Sequence, residues 1–229
     1  MKGIIRLTLA SLIFSLSSCI SSSNSLPVFI LQEIVSASSG KLLSDEGDEY
    51  TLVNPQSEYP LESGRYMVSC EVLRKTGEHS YDAVLKEIVK ADGGPVLKLS
   101  EASPEELADD PLDVVDIWIS GGYVNMRNTC ISLKDSPTQH LVNLVFDDIE
   151  SVKDTLFFSM RHNSFGEKPD NPDHKGKTFL VRTYYSSYPL EGILPEGHSK
   201  KVLALSWNKY SDYEKFNVER HSTAHSFEY

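Results

Sequence analysis

The chain has 229 residues and a formal net charge of −11, from 33 Asp and Glu against 22 Lys and Arg. So acidic a surface repels phosphate backbones and anionic headgroups, which disfavours nucleic acid as a partner and electrostatic docking on a membrane. With 11 Tyr, 9 Phe and 2 Trp and few helix-periodic segments, the composition indicates an all-β protein.

The first segment is laid out as an export signal. Lys2 and Arg6 supply a positive start, and an apolar run follows from Leu7 to Leu16. That run is about half the roughly 20 residues a membrane span needs. It ends in Leu16-Ser17-Ser18-Cys19, which resembles the bacterial lipobox, in which the cysteine is lipidated and becomes the first residue of the mature protein. Residues 1–18 are therefore expected to be a lipoprotein signal peptide and Cys19 the lipidation site. Residues 19–26 are expected to form a flexible tether. Cleavage takes Lys2 and Arg6 and no acid, moving the net charge from −11 to −13. Each buried acyl methylene contributes about 0.8 kcal/mol, enough in a diacyl or triacyl anchor to hold a soluble domain at a membrane. Serines, not acids, follow Cys19. That favours a periplasm-facing anchor in the outer membrane over display at the cell surface.

Strand-like runs then dominate. Val28 to Ala37, Glu49 to Val53, Arg65 to Arg74, Ser80 to Ala91 and Val96 to Leu99 are separated by turn residues such as Ser39-Gly40 and Thr76-Gly77. Five short strands suit a small barrel over residues 27–101. Ser103-Pro104-Glu105-Glu106 has a helix-start pattern, with a capping serine, an N1 proline and a capping-box glutamate. Pro111 limits that helix to barely two turns, so residues 102–112 are expected to be a linker with a short helix. From residue 113 to 229 the strands resume: Val114 to Ile119, Tyr123 to Leu133, His140 to Phe146, Asp154 to Asn163, Lys177 to Tyr188 and Lys201 to Trp207. Their spacing predicts an antiparallel β-sandwich. Phe165 to Gly176 is polar and is expected to be a mobile loop, and the last dozen residues have weak strand character and are expected to fray. Cys70 falls on the apolar side of its strand, so a buried thiol is the preferred expectation there. A Cys70–Cys130 disulfide is conceivable in an exported protein, but the two lie in different predicted domains, which makes bridging geometry demanding.

Three pieces of the second half occur together: Asp116-Ile-Trp-Ile-Ser-Gly-Gly-Tyr-Val-Asn125, Gln139-His-Leu-Val-Asn-Leu-Val145 and Met160-Arg-His-Asn-Ser-Phe-Gly166. In this order and spacing they resemble the NigD-like lipoproteins of the Bacteroidota. Ser120 stands where that family typically has glycine, and Glu167 stands near a position where it tends to have aspartate. The resemblance implies an N-terminal OB-like barrel followed by a C-terminal β-sandwich, the split already reached from the strands. It implies no catalytic residue. The family name comes from a gene in a bacteriocin-associated cluster.

Candidate contacts follow from the residue types. Gly121-Gly122 permits a bend around which Trp118 and Tyr123 pack, or a ligand's approach to bare backbone. Tyr184 and Tyr188 share one side of their strand and Tyr185 takes the other, so exposed rings there, with Trp207 on a later strand, would recognise sugars or a partner. Trp118, Tyr123, Tyr184 and Tyr188 are the candidate ligand or partner contacts. His140 and His162 each lie in register with apolar neighbours, the usual setting of a core histidine. If the two rings converged beside a carboxylate, a metal or acid–base site would follow. His221 and His225, and Asp170, Asp173 and His174 in the polar loop, read as solvated residues. Neither a serine-nucleophile, Walker nor dinucleotide fingerprint is present, and no Cys/His spacing suggests zinc. No metal, cofactor or catalytic residue is expected.

The functional expectation is a non-catalytic envelope lipoprotein that binds an envelope protein or secreted peptide, with an immunity-like role as a narrower form. The alternatives are a glycan-binding accessory lipoprotein and a hydrolase centred on His162.

Overall fold

A computed structural model describes residues 29–54, 61–151, 154–194, 200–212 and 215–228. The predicted signal, Cys19 and the tether lie outside the described residues. None of the described residues forms a helix long and apolar enough to cross a membrane.

Five strands close a barrel in the order β1-β2-β3-β5-β4: β1 (Phe29–Ser38), β2 (Lys41–Leu43), β3 (Glu49–Leu52), β4 (Gly64–Gly77) and β5 (Ser80–Lys90). Alternation puts Leu31, Val35 and Ala37 of β1 and Tyr66, Val68, Cys70 and Val72 of β4 on one inward face. There they pack with Leu42, Tyr50, Ala83 and Leu85, and closure removes the exposed edges that an open sheet of this size would leave. β3 and β5 pair in parallel and the other barrel pairs are antiparallel. This is the OB-like barrel.

The second half is a sandwich. One sheet runs β13-β12-β10-β9-β6 and the other β11-β8-β7. Their strands are β6 (Leu97–Lys98), β7 (Asp113–Ser120), β8 (Tyr123–Leu133), β9 (Leu141–Phe146), β10 (Thr155–Asn163), β11 (Phe179–Pro189), β12 (Lys200–Asp212) and β13 (Asn217–Glu228). Val124 and Met126 of β8 face Phe158 and Met160 of β10 and Leu203 and Leu205 of β12 across the core. Two pairings in the larger sheet, β10 with β12 and β6 with β9, are parallel.

Four local expectations are corrected. The run Val96 to Leu99 does not join the barrel, because Leu97 and Lys98 pair with Val145 and Phe146 of β9. The fifth barrel strand is β2, whose three residues are too few to show alternation.

The predicted linker helix does not form. The capping box is made, with Ser103 N donating to Glu106 Oε2 at 2.8 Å, but only one turn follows. Residues 108–110 then extend along β10, with His162 N donating to Ala108 O and Asp110 N to His162 O, which takes the backbone groups a helix would need.

The chain's last dozen residues do not fray as expected through Glu228. β13 pairs with β12 from Asn217 to Glu228. Its sequence is polar because an edge strand wets both its hydrogen-bonding side and one face. The segment Phe165 to Gly176 is a loop, but it is anchored, with Glu167 only 7% exposed.

Asp92 forms the joint between the halves. Its N–H donates to Tyr185 O at 2.7 Å and its carbonyl accepts from Ser187 N at 2.9 Å. Gly93 follows, and a Cβ there would lie 2.2 Å from Ser187 O, a backbone atom with little freedom to move. Gly93→Ala is expected to cost about 1–3 kcal/mol through this overpacking. Urea unfolding checks it, and a variant as stable as wild type would show that the joint is not tightly built.

Candidate functional site

The outer face of the β11-β8-β7 sheet is divided by the barrel. At one end the register aligns Ser187, Asn125 and Trp118 across the three strands, and the next row is Tyr185, Arg127 and Asp116. The barrel covers Asn125 and Ser187. Its rim then leaves a cleft of about 270 Å³, lined by Trp118, Asp116, Arg127 and Tyr185 from the sheet and Gln32, Glu33 and Met67 from β1 and β4. Beyond the cleft the face continues to Val181, which is 64% exposed.

Two polar atoms near this cleft are buried and lack a hydrogen-bond partner among the described residues: Arg127 Nε and Glu33 Oε1. Burial, together with the acids Glu46, Asp45 and Asp48 and against Arg65, pushes the Glu33 carboxyl up to about 7. Arg127 faces Asp116 at 4.0 Å, a distance that leaves its donors largely free.

The covered end of the face is held by Arg65. Its guanidinium donates to Asp45 Oδ1 at 2.5 Å and Oδ2 at 2.8 Å, to Ser36 Oγ, to Ser187 Oγ and to Asn125 Oδ1. It lies 4.3 Å from the centre of the Tyr123 ring. Ser120 also donates to Asp45, at 2.5 Å. Burial works to raise the Asp45 carboxyl, but hydrogen bonds from Arg65, Ser120 and Asn125 outweigh it and hold it below the ordinary carboxylate value. Gly121 sits over this carboxylate at φ +55°, where an added Cβ would lie 2.5 Å from Asp45 Oδ1. The paired glycines thus serve a bend and a close approach to the barrel.

The second cluster is inside the sandwich, at the end of β10. Cys130 of β8, His140 just before β9, and His162 of β10 are all buried, and their ligand atoms lie within 4.8 Å of one another. His162 Nε2 is 3.0 Å from His140 Nδ1, and Cys130 Sγ is 3.5 Å from the same nitrogen. The outer ring nitrogens are also engaged. His162 Nδ1 lies 3.0 Å from Pro111 O, and His140 Nε2 lies 3.3 Å from Glu167 Oε2. Glu167 reaches inward from its loop and also accepts from Ser136 Oγ and Leu133 N.

Burial, with the neighbouring His140 second, pushes the His162 ring down to about 4. Burial also pushes the Cys130 thiol up to about 11, against the hydrogen bond from the Tyr184 hydroxyl. For Glu167 burial works upward, and hydrogen bonds from Ser136, Thr138, His140 and the Leu133 amide outweigh it, leaving the carboxyl below its usual value. Cys70 and Cys130 are both free and buried.

A model of the NigD-like C-terminal beta sandwich domain matches residues 95–219, more than half of the chain. The chain belongs to the NigD-like family. A NigD-like immunity protein from Bacteroides caccae has the same fold, with a TM-score of 0.61 at 20% identity over 89% of this chain and 98% of that one. A protein of unknown function from Bacteroides vulgatus gives 0.61 at 15% identity, covering 87% and 91% of the two chains. A candidate lipoprotein from Bacteroides fragilis gives 0.60 at 15% identity, covering 88% and 98%. At these identities the likeness is one of fold. No curated protein matches the sequence.

The four contact candidates of this NigD-like chain fare differently. Trp118 lines the cleft, half-buried, and Tyr123 packs on Arg65. Tyr184 is half-buried against the sandwich core and hydrogen-bonds Cys130. Tyr188 is corrected. It is 1% exposed, its hydroxyl donates to Val142 O at 3.0 Å, and it offers no ring to solvent. Trp207 is likewise buried, at 4%. The convergence of His140 and His162 beside a carboxylate, the condition set for a metal or acid–base site, is met. Cys130 and Glu167 complete it. Neither Cys130 nor Glu167 is expected beside the two histidines from sequence alone. Two of the three signature pieces, Gln139-His140-Leu141 and Arg161-His162-Asn163, centre on this cluster and were the available signal.

Proposed function

We propose that this NigD-like protein is a membrane-tethered, non-catalytic binding module, anchored by acylated Cys19 in the outer membrane and seating an apolar segment of an envelope protein or secreted peptide. The observation that carries the reading is the cleft lined by Trp118 and Tyr185, in which the buried Arg127 Nε lacks a partner among the described residues. Aromatic side chains around an underused guanidinium are the composition of a binding hot spot, and a backbone carbonyl or carboxylate of the partner would satisfy the Nε donor. The lipobox at Cys19 and the fold shared with a candidate Bacteroides fragilis lipoprotein support the tether. An immunity-like role is the narrower form of the same reading, and its support is the description of the Bacteroides caccae neighbour. A non-catalytic role agrees with His162, whose two ring nitrogens are both engaged inside the core. A tyrosine platform for sugars loses its main member with the burial of Tyr188.

Cross-linked capture from the native envelope tests the reading. The wild-type protein should retain a protein or peptide that a Cys19→Ala control does not. Trp118→Ala should weaken that complex by about 2 kcal/mol, roughly 30-fold in affinity, and Arg127→Gln should weaken it in the same direction. Undiminished binding by both variants, or no partner above the control, would overturn the proposal.

A further inference from the structure

The buried cluster contains a proton mismatch. Pro111 O can only accept, so His162 Nδ1 must carry a hydrogen, and a neutral ring then has a bare Nε2. That bare Nε2 accepts from His140 Nδ1, which in a neutral ring leaves His140 Nε2 bare against the Glu167 carboxylate. Three contacts need three protons, and two neutral imidazoles hold two. Either an extra proton is trapped in the core or the central contact is not a hydrogen bond.

A metal ion between the rings removes the mismatch. With His140 Nδ1 and His162 Nε2 both bare toward a cation, His162 Nδ1–H donates to Pro111 O and His140 Nε2–H donates to Glu167. Every nitrogen is then satisfied by two neutral rings. These outer contacts are of the type that fixes the tautomers of metal-bound histidines, one to a carbonyl and one to a carboxylate. The spacing also fits. Tetrahedral zinc, with bonds of about 2.0 Å to nitrogen and 2.3 Å to sulfur, sets its ligand atoms roughly 3.3 Å (N to N) and 3.6 Å (N to S) apart. The separations here are 3.0 Å between the nitrogens and 3.5 Å from Cys130 Sγ to His140 Nδ1, and all three ligand atoms lie within 4.8 Å of one another.

We infer that Cys130, His140 and His162 form a binding site for a zinc-class divalent metal ion, with Glu167 and Pro111 orienting the two rings. One thiolate and two imidazoles suit a borderline cation, not calcium or magnesium. Cys130 comes from the β11-β8-β7 sheet, His162 from β10 of the other and His140 from the residue that leads into β9, so the ion ties the two sheets together at that end of the sandwich. The Tyr184 hydroxyl, which hydrogen-bonds the same sulfur, would support the thiolate. All three ligands are buried, so the site is closed and structural.

The test uses the full lipidated chain, purified in detergent under reductant and stripped with a chelator. One equivalent of Zn²⁺ should bind, and Co²⁺ in its place should give a thiolate-to-cobalt charge-transfer band in the near ultraviolet. The band should persist in Cys70→Ala and His221→Gln, and be lost in Cys130→Ser with its circular dichroism unchanged. Glu167→Gln should weaken zinc binding about 10–100-fold, as expected when the partner of a metal-bound histidine is removed. If Cys130→Ser fails to fold, the wild-type and Cys70→Ala spectra decide the matter, because acylated Cys19 has no free thiol. A folded wild-type chain that retains no metal, or a band that survives in Cys130→Ser, would overturn the assignment.

Discussion

Arg65→Ala is expected to lower the unfolding free energy by about 3–5 kcal/mol, as removal of one member of a buried ion pair does. Both side chains are nearly enclosed, 9% exposed for Arg65 and 8% for Asp45, so the charge left behind cannot be rehydrated cheaply. The same substitution frees acceptors on Ser36, Ser187 and Asn125 and uncovers the Tyr123 ring. Asp45→Asn should cost less, since an amide still accepts one Arg65 hydrogen bond. A double replacement by Met and Leu should recover part of the loss by leaving no charge unpaired. Urea unfolding at neutral pH measures all three, and an Arg65→Ala variant within about 1 kcal/mol of wild type would contradict the argument.

The pH dependence of that pair has a definite sign. Asp45 is held below its unfolded value in the folded protein. Its contribution is therefore fully present above the ordinary carboxylate pKa and lost as pH falls through the lowered folded value. The stability gap between wild type and Arg65→Ala should be widest near neutrality and narrow in acid. The pair also couples the two halves, because Arg65 and Asp45 belong to the barrel while Ser120, Asn125 and Ser187 belong to the sandwich. Breaking it should separate the unfolding of the two halves, which the intact pair is expected to hold to a single transition.

The all-β class and most strand positions were legible because the alternation is strong where one face is buried, as in Tyr66, Val68, Cys70 and Val72. Reading failed where that signal is absent. β2 is three residues long, and β13 is an edge strand whose exposed pattern resembles a loop. The linker helix failed for a different reason. Its local cap was correctly read and is made, but residues 108–110 were claimed by β10, a tertiary contact that no local pattern announces.

Sites follow the same division. Each histidine was placed on its core-facing side, but the cluster they form also draws Cys130 from the opposite sheet and Glu167 from a loop that returns to the interior. Periodicity carries no information about such pairings. The Arg65 node is equally non-local, joining residues whose separation in the chain reaches 122 positions.

Tyr188 separates packing from recognition. Its ring is 1% exposed among the residues of the sandwich core, and its hydroxyl satisfies the Val142 carbonyl. Tyr188→Ala should cost about 3–5 kcal/mol, since it deletes a buried aromatic and leaves a cavity that the flanking strands fill only in part. Tyr188→Phe keeps the ring and removes only the donor, so about 1 kcal/mol is expected. Urea unfolding of the two variants gives both values, and their difference isolates the ring's packing. If Tyr188 acted instead at a partner surface, the phenylalanine variant would bind more weakly at unchanged stability. Trp118→Ala is expected to do the reverse of Tyr188→Ala, with little change in unfolding free energy and a large loss of partner affinity, because its ring borders the cleft and lies outside both buried clusters. The two aromatic residues were equal candidates on sequence alone. The alternation of β11 turns one toward the core, and the outer face of β7 leaves the other at the cleft.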